Sequence, residues 1–309
     1  MALYLAVRCF SLERKNMKIG IDIGGSHIGI GLVTEEGKII SKEEKYITET
    51  VNIEEKIEKF IIEKVTQIPD YKNIELIGIA VPGTVSDNKI IKAVNLGIEN
   101  YELANRLEEK LHIKVKLRND AKCSALAEQK YGELAGFENS VFLCIGTGIG
   151  GAVIYNGKLL EAKGVPGFEF SHTIIQKNGK LCNCGKRGCF EVYASLKRFK
   201  EEVSNEFNLN TMDGEKIREF ILQNAQDIRL RYMLNNYIQD LSIGISNIIN
   251  IFEPEAICLG GSFAEYKDIF YEPLKRTLLD GNLLFNKRDD IILKLAKLKN
   301  DAGIIGATI

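Results

Sequence analysis

Three stretches of this 309-residue chain run from an apolar strand straight into glycines: "KIGIDIGGSH" (18–27), "SVFLCIGTGIGGAVI" (140–154) and "AICLGGSF" (256–263). Alternation of β-branched and aliphatic residues bounded by glycine reads as a strand ending in a tight turn. In the first two a second strand follows the turn, and in the third a helix does. Between them lie segments with helical spacing. In "NIEEKIEKFIIEKV", Ile53, Ile57, Phe60, Ile61 and Val65 share one face. "YELANRLEEKL", "AKCSALAEQKYG" and most of 191–252 are also helical, and a short helix starts near Asp301. Strands alternating with helices require layered α/β packing. At this length two domains are expected rather than one.

Charge excludes some partners. Forty-one basic residues face forty-two acidic ones, for a formal net charge of −1. Such a chain has no general attraction for nucleic acid or anionic membranes. No apolar run reaches the roughly 18 residues of a membrane span. The opening "MALYLAVRCFSLERKN" has a short apolar part interrupted by Arg8 and lacks a small-residue cleavage site, so it does not read as a signal peptide. It is expected to be a weakly ordered extension, with translation able to begin at Met17. A cytoplasmic protein is the expectation.

The glycine loops carry the first candidate site. Asp22, Gly24, Gly25 and Ser26 form one loop, Gly146, Thr147, Gly148, Gly150 and Gly151 a second, and Gly260, Gly261 and Ser262 a third. Glycines let a backbone approach phosphate closely and aim N–H donors at it. A neighbouring hydroxyl adds a donor, and a carboxylate can hold Mg²⁺ through water. Tight β-hairpins and strand-to-helix turns need the same glycines, and neither the P-loop nor the dinucleotide fingerprint is matched. Ligands of open α/β sheets do sit at strand carboxyl ends. In "KLRNDAKC", Asn119 and Asp120 stand between a strand and a helix. Aspartate there is a common N-cap. It is also a carboxylate able to accept a hydroxyl proton in phosphoryl transfer.

"HTIIQKNGKLCNCGKRGCFE" (172–191) holds Cys182, Cys184 and Cys189 within eight residues. Cys9, Cys123, Cys144 and Cys258 are scattered in apolar surroundings and read as buried small hydrophobes. A disulfide is disfavoured in a reducing compartment, and a zinc-ribbon module would need a second knuckle and a basic surface. Three thiolates in a glycine-turned loop, with His172 as natural fourth ligand, suit tetrahedral Zn²⁺ in a closed, structural site. A zinc-bound histidine retains one ring N–H to offer a ligand. Glu169 and Glu191 flank the same loop, and with that N–H they suit sugar hydroxyls. Taken singly, Glu169 is equally a solvated loop charge and Glu191 a first-turn helix acid.

Together "DIGGS", "VPGTV", "NDAK", "IGTGIGGAVI", "GFEFSH", "CNCGKRGC" with Glu191, "CLGGS" and the closing "NDAGIIGA" resemble the ROK family of sugar kinases and sugar-responsive repressors, from about Met17 to the end. The resemblance implies the actin-like ATPase (ribonuclease H-like) α/β fold, with two lobes (17–118 and 119–309) and a ligand cleft between them. The final helix would pack back on the first lobe. It implies sugar contacts at Gly83, Asn95, Asn119, Asp120, Glu169, His172 and Glu191, with Asp120 as general base. ATP would lie on the three glycine loops with Mg²⁺, and structural Zn²⁺ on His172, Cys182, Cys184 and Cys189. The activity so implied is transfer of the ATP γ-phosphate to the 6-hydroxyl of a hexose, glucose first, by a homodimer. An N-acetylhexosamine kinase is the rival within enzymes. A sugar-sensing regulator is the rival outside them, and its added helix-turn-helix module is not expected in sixteen residues. The chain departs from the family pattern at Ser26 and His27 (usually Thr and Lys), at Lys122, and at Phe168 and Ser171 (usually glycines), which line the expected sugar pocket wall.

Overall fold

A computed structural model of the chain describes residues 17–25, 27–47, 51–162, 168–280 and 292–309. The expected extension, Ser26 and Cys9 lie outside these residues. The chain divides into two compact units.

The first unit takes in Met1–Ala135, Glu161–Gly167 and Asn300–Ile309. Its strands β1 (Lys18–Ile23), β2 (His27–Val33) and β3 (Ile39–Tyr46) form an antiparallel meander. Helix α1 (Ile53–Thr66) then leads to β4 (Ile77–Val81). A separate sheet of β5 (Thr84–Ser86), β6 (Lys89–Ala93) and β7 (Ile98–Tyr101) follows, then α2 (Leu103–Leu111), β8 (Val115–Asn119) and α3 (Asp120–Tyr131). The main sheet has the order β3-β2-β1-β4-β8, with β1, β4 and β8 parallel. The five apolar residues expected on one face of α1 are all buried, because their 3.6-residue repeat meets the sheet. The β5-β6-β7 sheet has no counterpart in the sequence reading. Its strands are short, and "TVSDNKIIKAV" alternates too little to signal them.

The second unit comprises Gly136–Leu160 and Phe168–Lys299. Strands β9 (Ser140–Ile145), β10 (Ile149–Tyr155) and β11 (Lys158–Leu159) again form a meander. Helices α4 (Glu191–Ala194), α5 (Leu196–Glu206), α6 (Gly214–Gln223) and α7 (Ile228–Phe252) precede β12 (Ala256–Gly260), α8 (Lys267–Asp280) and β13 (Ile292–Leu295). The sheet order is β11-β10-β9-β12-β13, with β9, β12 and β13 parallel. Both sheets therefore share one plan, a three-stranded meander whose first strand pairs in parallel with the fourth, and the fourth with the fifth. The two hairpin glycine loops fall at the same step of that plan, between its first and second strands.

Helix α9 (Ala302–Ala307) belongs to the first unit. The division itself falls after Ala135 rather than before Asn119. The reason is that α3 packs closely on α9 and shares its core, with Cys123, Ala80 and Ala307 buried together. Among the described residues no helix is long and apolar enough to cross a membrane.

Candidate active site and metal centre

In the first unit β8 ends at Asn119, and Asp120 opens α3. The cap is Asn119 rather than Asp120. Its Oδ1 accepts the Lys122 N–H at 3.2 Å, while its Nδ2 donates to the Gly83 carbonyl at 3.0 Å. Asn119 thereby fixes the end of β8 against the turn after β4. Gly83 itself has φ 92°, where a Cβ would press on the Lys92 carbonyl, so glycine is required there. Asp120 is half-buried, and its Oδ1 accepts the Ala121 N–H at 2.8 Å.

Asp22 stands at the end of β1, its carboxylate beneath Gly303 of α9, where a side chain at 303 would overlap it. Burial, and then the negative charge of Asp120, push its carboxyl up to about 7, with Lys42 opposing. Two half-buried carboxylates within electrostatic reach of one another favour a cation beside them. Lys42 is already engaged by Glu44 and by Asp301 at 2.9 Å. The donor set suits a hard, oxygen-seeking cation such as Mg²⁺. Gly24 lies beneath the His27 ring, and exposed Gly25 faces Asn95, whose Cβ is 3.9 Å from where a Gly25 side chain would begin. Lys42 and Gly303 had no individual signal in the sequence. Only the fold brings them beside Asp22.

In the second unit the β9–β10 loop is held at both ends by the helices that follow the cysteine loop. The Glu191 carboxylate accepts the Ile149 N–H at 3.1 Å, and the Lys197 N–H donates to the Gly146 carbonyl at 3.0 Å. A side chain at Gly148 would overlap Glu191. Glu191 is therefore the first-turn acid of α4 and also a ligand of the glycine loop. Thr147 is exposed at the turn. Gly151 is packed against Phe170, and Ser262 Oγ is 3.7 Å from where a Gly146 side chain would start, which joins the second and third glycine loops. Gly260 is closed in by the Phe142 ring, and Gly261 takes φ 69° over the Ile145 carbonyl. Cys144, expected to be buried, is only half so and lies against Gly261, because it stands next to the end of β9 beside this loop.

His172, Cys182, Cys184 and Cys189 place one ligand atom each within 4.8 Å of one another. His172 Nδ1 is 3.7 Å from Cys182 Sγ, and Cys184 Sγ is 3.6 Å from Cys189 Sγ. With metal–sulfur bonds of about 2.3 Å a tetrahedron has S···S edges of roughly 3.8 Å, near these two separations, so the donor set can hold a tetrahedral cation such as Zn²⁺. As thiols, Cys182 and Cys189 are held up by burial, Cys189 to about 12, while the Lys186 N–H lowers Cys184. A cation would remove that cost by binding all three as thiolates. Since Nδ1 faces the cysteines, Nε2 is the nitrogen left over. Glu169 is exposed beside His172. Phe168 takes φ 63°, a left-handed conformation that costs a bulky residue about 1 kcal/mol and that glycine adopts freely. That conformation accounts physically for the glycine expected at this place in the family pattern.

The ROK family model matches residues 18–309, and the chain belongs to this family. It is 32% identical over 304 residues to the glucokinase of Thermotoga maritima, covering 94% of this chain and 95% of that protein. It is also 32% identical over 263 residues to the xylose repressor of Bacillus subtilis, covering 82% of this chain and 66% of the repressor. Among solved structures, a ROK glucokinase from Streptomyces griseus in complex with glucose and AMPPNP superimposes with a TM-score of 0.78 at 26% identity, over 95% of this chain and 98% of that one. The fold is that of the actin-like ATPases, which accounts for the shared plan of the two sheets.

Proposed function

We propose that this protein is an ATP-dependent sugar kinase that phosphorylates the 6-hydroxyl of glucose. The observation that carries this reading is the paired placement of Asp120 just past the carboxyl end of β8 and of Asp22 near that of β1, the latter two residues before the Gly24–Gly25 turn. Similarity to glucokinases over nearly the whole chain supports it.

Asp120 would take the proton from the sugar hydroxyl as the oxygen attacks phosphorus. Asn119, bonded to the Gly83 carbonyl, would orient that hydroxyl, and Asn95 would add a sugar contact. Glu169, Glu191 and the His172 Nε2–H would hold the other ring hydroxyls. Backbone N–H groups of Gly24–Gly25 and of Gly146–Gly151, with the Ser26, Thr147 and Ser262 hydroxyls, would receive the ATP phosphates, and Gly260–Gly261 would admit its flat base. When bound, Mg²⁺ near Asp22 neutralises phosphate charge. Phosphoryl transfer passes through a loose transition state, so positioning and charge stabilisation supply most of the rate. Zn²⁺ on His172, Cys182, Cys184 and Cys189 would be structural, since four protein ligands close its sphere. A homodimer working in the cytoplasm completes this reading.

The likeness to a xylose repressor keeps sugar sensing as the second reading. A coupled assay over glucose, fructose, allose, N-acetylglucosamine and N-acetylmannosamine separates the two. Turnover with glucose above all others is expected. Sugar binding without phosphoryl transfer to any of them would establish sensing instead, and a preference for an N-acetyl sugar would move the assignment to an amino-sugar kinase.

A further inference from the structure

The metal-ligand loop has two limbs, and one side chain ties them to the helix that carries Glu191. The first limb passes His172 and reaches Lys180. The second returns through Arg187 and Gly188 to Cys189. Bridges pair Ile174 with Cys189 and Leu181 with Arg187. The Gly188 N–H donates to the Lys180 carbonyl at 2.9 Å, and the Cys182 N–H to the Lys186 carbonyl at 2.8 Å. Lys180 also donates its own N–H to the Tyr193 hydroxyl at 2.6 Å.

Tyr193 stands two residues after Glu191 on α4, half-buried against Cys182, Cys189 and Val192. The Lys180 ammonium lies 5.1 Å from its ring centroid. Gly179 leaves room for the hydroxyl, because a Cβ there would overlap it. The residue before the bond is therefore shaped to the phenol. A four-residue helix has little stability of its own, so its orientation depends on such contacts.

We propose that Tyr193 is a positioning residue. Its hydroxyl sets the cysteine loop on α4, and so fixes the metal ligands and Glu191 in one frame. The inference rests on the sugar-kinase reading with zinc in the loop. It assigns Tyr193 no contact with sugar or nucleotide. Its effect runs through the loop.

The test compares wild type, Y193F and G179A as purified zinc-loaded proteins, together with the double variant. Zinc release to a chromophoric chelator, KM for glucose, KM for ATP and melting temperature are measured on each. Y193F is expected to release zinc roughly two- to tenfold faster, the range one hydrogen bond spans. It should also raise KM for glucose by a similar factor while leaving KM for ATP and the melting temperature near wild type. G179A should harm zinc retention more in the wild-type background than in the Y193F background, because the lost hydroxyl makes room for the added methyl. Zinc release and glucose KM of Y193F equal to wild type would sink the strut, as would additive effects in the double variant. A wild-type protein that binds no zinc or phosphorylates no sugar overturns the underlying reading, and the strut with it. These outcomes separate the two failures.

Discussion

Asp120 and Asp22 show how one residue type serves two ends within one unit. Asp120 is half-buried at the start of α3, with a backbone N–H on its carboxylate. Asp22 is also half-buried, beneath Gly303 of α9, with its carboxyl raised to about 7 first by desolvation and then by the charge of Asp120. Replacing Asp120 by asparagine keeps the shape and removes the base. D120N should keep glucose affinity and melting temperature while lowering kcat by about 10² to 10⁴. Equilibrium binding and a steady-state assay on the same sample check this, and near-full activity would move the base elsewhere. Asp120 was legible in the sequence through its strand–helix setting. The dual bond of Asn119, to Lys122 N–H and to the Gly83 carbonyl, was not, because Gly83 is 36 residues away.

Two elements show opposite sources of stability. Helices α1 and α2 are joined through Glu58, a buried carboxylate that receives Arg106 Nε at 2.7 Å, the Tyr101 hydroxyl at 2.6 Å and the Lys110 ammonium. Burial alone would raise its carboxyl from the ordinary 4.5, but the three donors outweigh burial and hold it at about 2. A carboxyl depressed on folding stabilises above its unfolded value and loses that contribution as pH falls towards the folded one. E58Q should therefore melt well below wild type at pH 7, by about 2–3 kcal/mol. The gap should close between pH 4.5 and 2, and a gap independent of pH in thermal melts would show that packing rather than charge is lost. The cysteine loop has no comparable packing of its own, and depends on its ligand set. C184S should lose the metal and weaken glucose affinity more than ATP affinity while the protein stays folded. Metal content and the two binding isotherms decide, and equal loss of both ligands would indicate unfolding instead. The spacing of Cys182, Cys184 and Cys189 made this element readable, because ligands close in sequence are close in space. Tyr193 gave no such signal, because a hydroxyl bound to a peptide N–H thirteen residues away leaves no pattern.

At the scale of the molecule, the chain repeats one five-strand plan and seals the first sheet with its last turn. Helix α9 presses so closely on that sheet and on α3 that side chains are excluded. A Cβ at Gly20 would overlap the Ile304 carbonyl, one at Gly78 the Ala307 carbonyl, and one at Gly306 the Cys123 backbone. The same approach lays Gly303 over Asp22. G78A should push α9 away from β4, costing about 1–3 kcal/mol, or several degrees of melting temperature. Activity should fall with it, since the cover over Asp22 shifts. Calorimetry and the coupled assay test this, and a variant that melts and turns over like wild type would show that α9 is not held by backbone contact.

The amino-acid sequence by itself determined the pieces whose physics is local. These are the strands that end in glycine, the amphipathic face of α1, and the four candidate metal ligands gathered in one short loop. Each depends on spacings of a few residues, which a chain expresses before it folds. Only the tertiary structure decided what those pieces do together. It placed Asp22 within reach of the charge of Asp120, far along the chain, and joined Glu191 to the loop at Ile149. It also returned the final helix to the first sheet. Such pairings follow from strand order and close packing, and no periodicity along the chain encodes them.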